Sequence, residues 1–245
     1  MLTLWTKTSG TWINIALVIL GTLSGLSLRN RLSAKMQTII TQAIGLTTIF
    51  IGISMANALP EASAGRVEGV ILALLSLVGG GLLGEWWQLE RRLVSLGDLI
   101  KARIKGDSRF TEGFVAASLL FCIGPMSILG SLNNGLRGDD TILIIKSTMD
   151  GLVSIALTGT YGIGVGFSVL PILLYQGSLS LIASSLAQAI PYPDTNPNVL
   201  LVTGVGGIMI LGLGFNLLEV TKIRVASFIP ALALGPIIAQ LAKLI

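Results

Sequence analysis

The chain has 245 residues, of which 52% are hydrophobic and 11% charged, with a formal net charge of +4. A soluble domain carries about 25% charged residues, so this composition, with a mean hydropathy of +0.84, predicts an all-α, polytopic membrane protein. The absence of strand-like alternation argues against an outer-membrane barrel. The sequence contains no His, which removes Ser-His-Asp and Cys-His catalysis, His-ligated haem and most zinc sites.

About eight spans are expected, at roughly 10–28, 36–59, 67–85, 112–132, 141–160, 162–189, 198–218 and 225–243, each near the ~20 residues that cross a bilayer core. They form one integral-membrane domain over 1–245. The first apolar segment, Trp12 to Leu28, is too long for a cleavable signal peptide and ends in Arg29 and Arg31 rather than small residues. Placing the N-terminus outside puts eleven basic residues on the inner side and four on the outer, with Lys146 within a span. That bias predicts a multi-pass protein with both termini outside. Basic residues clustered at helix ends suit topology control and give no reason to expect nucleic-acid binding.

Between the third and fourth spans, 86–105 reads as an interfacial amphipathic helix. Leu89, Leu93, Leu96, Ile100 and Ile104 share one face, flanked by basic residues and anchored by Trp86 and Trp87. The stretch 106–151 follows, where apolar sequence is interleaved with Glu112, the run Ser131-Leu132-Asn133-Asn134, and Lys146 with Asp150. Cys122 sits in an apolar run and reads as a small core residue. If the fifth span starts at Thr141, Asp150 lies about 14 Å along the helix, near the middle of a core roughly 30 Å thick. Intramembrane charges are expensive and mark functional sites by default. Lys146 and Asp150 are spaced i, i+4 and can neutralise each other, either as a packing lock or as the lining of a solute path. A third geometry makes 141–149 a short re-entrant element, with Asp150 capping the next helix. That leaves seven full spans.

The sixth span holds Gly162, Gly164, Gly166 and Pro171, which predicts a kink or break. Gln176 follows, placed either to patch a carbonyl freed by Pro171 or to line a pore. Asn14, Gln42, Asn57 and Asn216 are uncharged polar residues expected to bridge helices. The segment 191–198, PYPDTNPN, reads as a rigid connector.

Internal similarity is present. Thr41, Gly45 and Gly52 of the second span match Thr203, Gly207 and Gly214 of the seventh at the same spacing. Val67, Ile71, Ala73 and Leu74 of the third match Val225, Ile229, Ala231 and Leu232 of the eighth. The matched spans run in opposite directions, so spans 1–3 and 6–8 form an inverted-repeat candidate of the kind that builds secondary transporters.

The blocks GDSRFTEGF, ASLLFC, GSLNNGLRGDD, KSTMDG and GIGVGFSVLPILLYQG resemble the YqgA/YdfK-like family of bacterial integral-membrane proteins over nearly the whole chain. Matched positions include Asp107, Ser108, Glu112, Gly130, Ser131, Gly135, Lys146, Asp150, Pro171 and Gln176. One departure is Asn134, where the family pattern leads one to expect an acid. The resemblance implies a small prokaryotic inner-membrane protein of transport type. It carries over no catalytic residue.

The sequence therefore points to a transporter or channel for a small solute or ion, not ATP-driven by itself. Glu112, Asn133, Lys146, Asp150 and Gln176 are its candidate path residues, with no cofactor, no metal and no enzymatic activity expected. The alternative is a non-catalytic membrane scaffold or assembly subunit. The bilayer is the certain partner of either, and the small-residue faces Gly21/Gly25, Gly80/Gly84 and Gly162/Gly166 leave room for a homo-oligomer.

Overall fold

The computed structural model describes residues 3–29, 31–104, 106–189 and 196–243. Ten helices follow in order: α1 (Leu4–Arg29), α2 (Ala34–Ala56), α3 (Gly69–Trp86), α4 (Leu89–Ile104), α5 (Phe110–Cys122), α6 (Pro125–Arg137), α7 (Thr141–Tyr161), α8 (Val169–Ala189), α9 (Pro197–Leu217) and α10 (Ile229–Ala242). No strand occurs among the described residues. Most of the predicted 191–198 connector, and Lys105 of the interfacial helix, lie outside those residues.

Among the described residues, six helical stretches are long and apolar enough to cross a membrane, or seven if the bent pair α5 and α6 counts as one span. One of the six, Thr141–Ala183, is 43 residues long, about twice what a bilayer core needs. It turns on itself through a 3-10 segment at Gly162–Ser168, entered by Gly162 at φ +80°, a left-handed conformation that favours glycine. Its two arms meet α1 in opposite senses. Gly10 faces Leu143 and Gly25 faces Thr158, whereas Thr11 faces Gln176 and Thr22 faces Gly166. Taking the arms as separate passes gives seven, and counting the bent pair as one more span gives eight.

Two details differ from expectation. The helix α7 runs unbroken through Asp150, so 141–149 is not re-entrant. The break falls between α5 and α6 instead, where the two helices bend by 60° just ahead of Pro125. Proline fills the first turn of α6, where a missing N–H is tolerated. Pro171 likewise falls in the first turn of α8, so the sixth span is interrupted at its glycine cluster and not at its proline.

The described residues pack into two compact units. The first comprises residues up to Ile44 together with Val94–Pro191, and the second Gly45–Leu93 with the segment from Tyr192 onward. In the first unit, α1 packs parallel to α7 and antiparallel to α8. At the far end of α1, α5 begins beside the 3-10 turn, with Gly113 against Tyr161 and Gly164 against the Phe110 backbone. The C-terminal half of α4 docks on α5 through Gly97, which faces Phe114, and through Asp98, which accepts a 2.6 Å hydrogen bond from the Thr111 hydroxyl. Leu96 and Leu99 remain exposed, as suits a helix lying at a membrane interface.

In the second unit, α2 lies antiparallel on α9 and α3 antiparallel on α10. A Cβ on Gly52 would stand 2.8 Å from the Gly207 carbonyl oxygen, and one on Gly214 would stand 3.1 Å from the Gly45 carbonyl oxygen. The matched glycines thus meet crosswise, Gly52 with Gly207 and Gly45 with Gly214, and not each with its own sequence match. Asn216 clamps the turn after α9, donating to the Ile223 carbonyl at 2.6 Å and accepting from its N–H at 2.7 Å. Glu90, at the start of α4, accepts from the Ala226 N–H at 2.8 Å. Partial burial there raises its carboxyl above the ordinary range, against the lowering effects of that hydrogen bond and of Arg224.

The α3–α10 contact supplies a test. A Cβ on Gly84 would collide with the Ser227 carbonyl, whereas one on Gly79 would meet nothing closer than Leu234 at 3.5 Å. Overpacking costs about 1–3 kcal/mol, while Gly to Ala inside a helix gains about 0.5–1 kcal/mol. Gly84→Ala is expected to lower the melting temperature in detergent, and Gly79→Ala to leave it unchanged or raise it.

Candidate functional site

The site is built on the close approach of α1 to α7. A Cβ on Gly21 would land on the Gly151 carbonyl oxygen, and one on Gly25 would stand 2.5 Å from the Ile155 carbonyl oxygen. Only glycine on α1 lets the two backbones meet this way. The register that results brings Asn14 of α1 beside Asp150 of α7.

Asp150 Oδ2 accepts from Lys146 Nζ and, at 3.0 Å, from Asn14 Nδ2. Asn14 Nδ2 also donates to Gln176 Oε1 of α8 at 3.1 Å, and Gln176 Nε2 donates to the Thr11 hydroxyl at 3.4 Å. One continuous polar chain, Lys146–Asp150–Asn14–Gln176–Thr11, thus links three helices. The Lys146 and Asp150 side chains are 8% and 11% exposed. Removing one member of a buried ion pair costs about 3–5 kcal/mol, because the other is left charged and alone.

Hydroxyls around the pair divide into two groups. Ser147 and Ser154 donate to carbonyls of their own helix. Thr22, Ser131, Thr158, Ser168 and Ser180 have buried oxygens with no hydrogen-bond partner among the described residues, as does Asn14 Oδ1. These six groups come from α1, α6, α7, the 3-10 turn and α8. They occupy at least about 20 Å of α1 length, from the level of Gln176 to that of Thr158. Native interiors leave few such groups unpaired unless water or a ligand completes them.

Of the predicted path residues, the structure brings together Lys146, Asp150 and Gln176. Glu112 lies elsewhere. It is in the first turn of α5, its side chain is 61% exposed, and it accepts from Arg109 Nε at 3.0 Å. Arg109 also sits over the Tyr161 ring, 4.5 Å from its centre. The cause is helix polarity, since an acid in the first turn faces the unpaired N–H groups. Asn133 is half-buried on α6 and makes no hydrogen bond among the described residues.

Its neighbour Asn134 is the engaged one. It is fully buried; its Oδ1 accepts from the Gly10 N–H at 3.2 Å, and its Nδ2 donates to the Thr6 carbonyl and the Ser9 hydroxyl, each at 3.0 Å. Thr6 and Gly10 are one helical turn apart, so the amide bridges two backbone groups that a helix normally joins. A carboxylate could accept from Gly10 but could not donate to Thr6, which explains how an amide serves where an acid was expected. Asn14, expected to bridge helices, joins α7 and α8 here, and Thr11 is the member that sequence reasoning did not single out. The only signal was a polar residue in an apolar helix.

A second polar group closes the opposite end of this unit. Arg29 pairs with Asp107 beneath Gly162, where any side chain at 162 would collide with both. Among the described residues no cluster of three or more His, Cys, Asp or Glu side chains could hold a metal ion.

Comparison with known proteins adds a family. Residues 9–240 match the model described as "Protein of unknown function (DUF554)". The chain is 34% identical over 230 residues to "Uncharacterized membrane protein YdfK" of Bacillus subtilis (strain 168), covering 94% of each chain. It is 29% identical over 233 residues to "Uncharacterized protein YqgA" of Escherichia coli (strain K12), covering 92% of this chain and 94% of the relative. No solved structure matches.

The ion pair makes a quantitative expectation. Asp150→Ala should destabilise the purified protein by about 3–5 kcal/mol, while Lys146→Met combined with Asp150→Leu should recover most of the loss. Thermal unfolding in detergent reads both. Equal destabilisation by the single and double variants would contradict the pairing.

Proposed function

The chain belongs to the DUF554 family of membrane proteins, and from that premise we propose that it is a transporter or channel for a small solute or ion, with its path through the interior of the first unit. The observation that carries this reading is the row of buried, unpartnered polar atoms running past Asp150. A sealed, purely structural core would have no reason to bury six such groups in a membrane, where each unsatisfied group costs more than in a wet site. Lys146 and Asp150 form the charged step of the path, and Asn14 and Gln176 its neutral ligands.

The reading is non-enzymatic. The site offers no activated nucleophile and no pair of acids poised at a shared centre. It also includes inverted halves, supported by the antiparallel meeting of matched glycines on α2 and α9. The bacterial relatives support a location in the bacterial inner membrane, and the distribution of basic residues supports both termini outside.

A scaffold is the second reading, and the observation in its favour is the low exposure of the Lys146–Asp150 pair. Reconstitution separates the two. Proteoliposomes should show flux of at least one solute from an ion and metabolite panel, and Asp150→Asn, which keeps shape and removes charge, should cut that flux at least about tenfold. A folded wild-type protein with no flux that depends on Asp150 would favour the scaffold.

A further inference from the structure

A groove of about 540 Å³ opens sideways between the first half of α1 and α8. Its walls are Leu4, Trp5, Trp12, Leu173, Leu174 and Leu181. The hydroxyls of Thr8 and Ser178, also in the lining, donate to carbonyls of their own helices at 2.9 Å and 3.0 Å, so the lining presents carbon. Its floor is open at Gly177, where a Cβ would have nothing nearer than Leu173 and Thr11 at 3.8 Å. Small residues on membrane helices usually admit a neighbouring helix, as Gly21 and Gly25 do. Gly177 admits none.

We infer that this groove is a phospholipid site, taking one acyl chain along Gly177 and the lipid phosphate at Lys7. Three observations select this occupant. Both walls belong to membrane-spanning stretches, so what meets the opening is hydrocarbon. Trp5 and Trp12 stack on each other with ring centres 6.4 Å apart and remain 66% and 43% exposed, at the end of α1, where interfacial tryptophans mark the headgroup level. Lys7 precedes Thr8, lies one helical turn from both Leu4 and Thr11, and makes no ion pair among the described residues. A lysine at the membrane surface attracts anionic lipid, and an unpaired one beside an apolar groove supplies both halves of phospholipid recognition. The groove adjoins the polar chain at Thr11, which lines the groove and whose hydroxyl accepts from Gln176 on its other side.

The test uses the full-length protein, purified in mild detergent and offered equal amounts of phosphatidylglycerol and phosphatidylcholine before native mass spectrometry. The wild type should retain one tightly held lipid and select phosphatidylglycerol. Gly177→Leu, whose side chain fills the open floor, should lose that lipid, and Gly177→Ala, which leaves room, should keep it. Lys7→Gln should keep a lipid but lose the preference for phosphatidylglycerol. Equal retention in Gly177→Leu and wild type would overturn the site. So would a wild-type dimer that Gly177→Leu converts to monomer, because the groove would then be a contact between copies.

Discussion

A carboxylate at the middle of a membrane must find partners from the protein alone, and the architecture of the first unit follows from how Asp150 finds them. Water would solvate the group in a soluble protein. At membrane depth the cost of leaving it bare is several kcal/mol. Lys146 supplies the opposite charge from one turn earlier on the same helix, but it satisfies only part of the acceptor capacity. The remainder comes from Asn14 on another helix, and Asn14 reaches it only because Gly21 and Gly25 let α1 settle onto the α7 backbone. Glycine spacing, helix register and the polar chain are one constraint seen at three scales.

That constraint explains what could be read from the sequence. The spans were legible because hydrophobic length is a direct consequence of bilayer thickness. Lys146 and Asp150 were legible because i, i+4 spacing is local. Asn14 was legible as a bridge between helices but its partners were not, since nothing local states which residue of α1 meets which residue of α7. Glu112 stands apart from the other candidates for the converse reason. Its charge stands out in the sequence, but it lies at a helix start, where an exposed acid is ordinary. The break between α5 and α6 is foreshadowed by Gly124-Pro125, yet continuous apolar character over 112–132 masks it.

The second unit shows the same use of glycine without the charge. Matched glycines on α2 and α9 meet across an antiparallel contact, and Gly84 receives the Ser227 backbone. Polar groups hold its turns, through the Asn216 clamp and the Glu90 acceptor, while Ser76 within α3 donates to its own helix. Among the described residues, the second unit buries unpartnered polar atoms only at Asn198 and Ser227, whereas the first is threaded with them from α1 to α8, and that contrast is what supports the proposed path in the first unit.

The central claim is that the interior of the first unit is wet. Cysteine placed singly at Thr22, Ser131, Thr158 and Ser180, in a protein whose native Cys122 is replaced by Ala, reports water access through its rate of reaction with a small charged thiol reagent in membranes. The account predicts labelling at these positions well above that at Leu174 or Leu152, which are exposed toward the bilayer. Labelling no faster than at those lipid-facing controls would mean the row is sealed, and the path reading would fall.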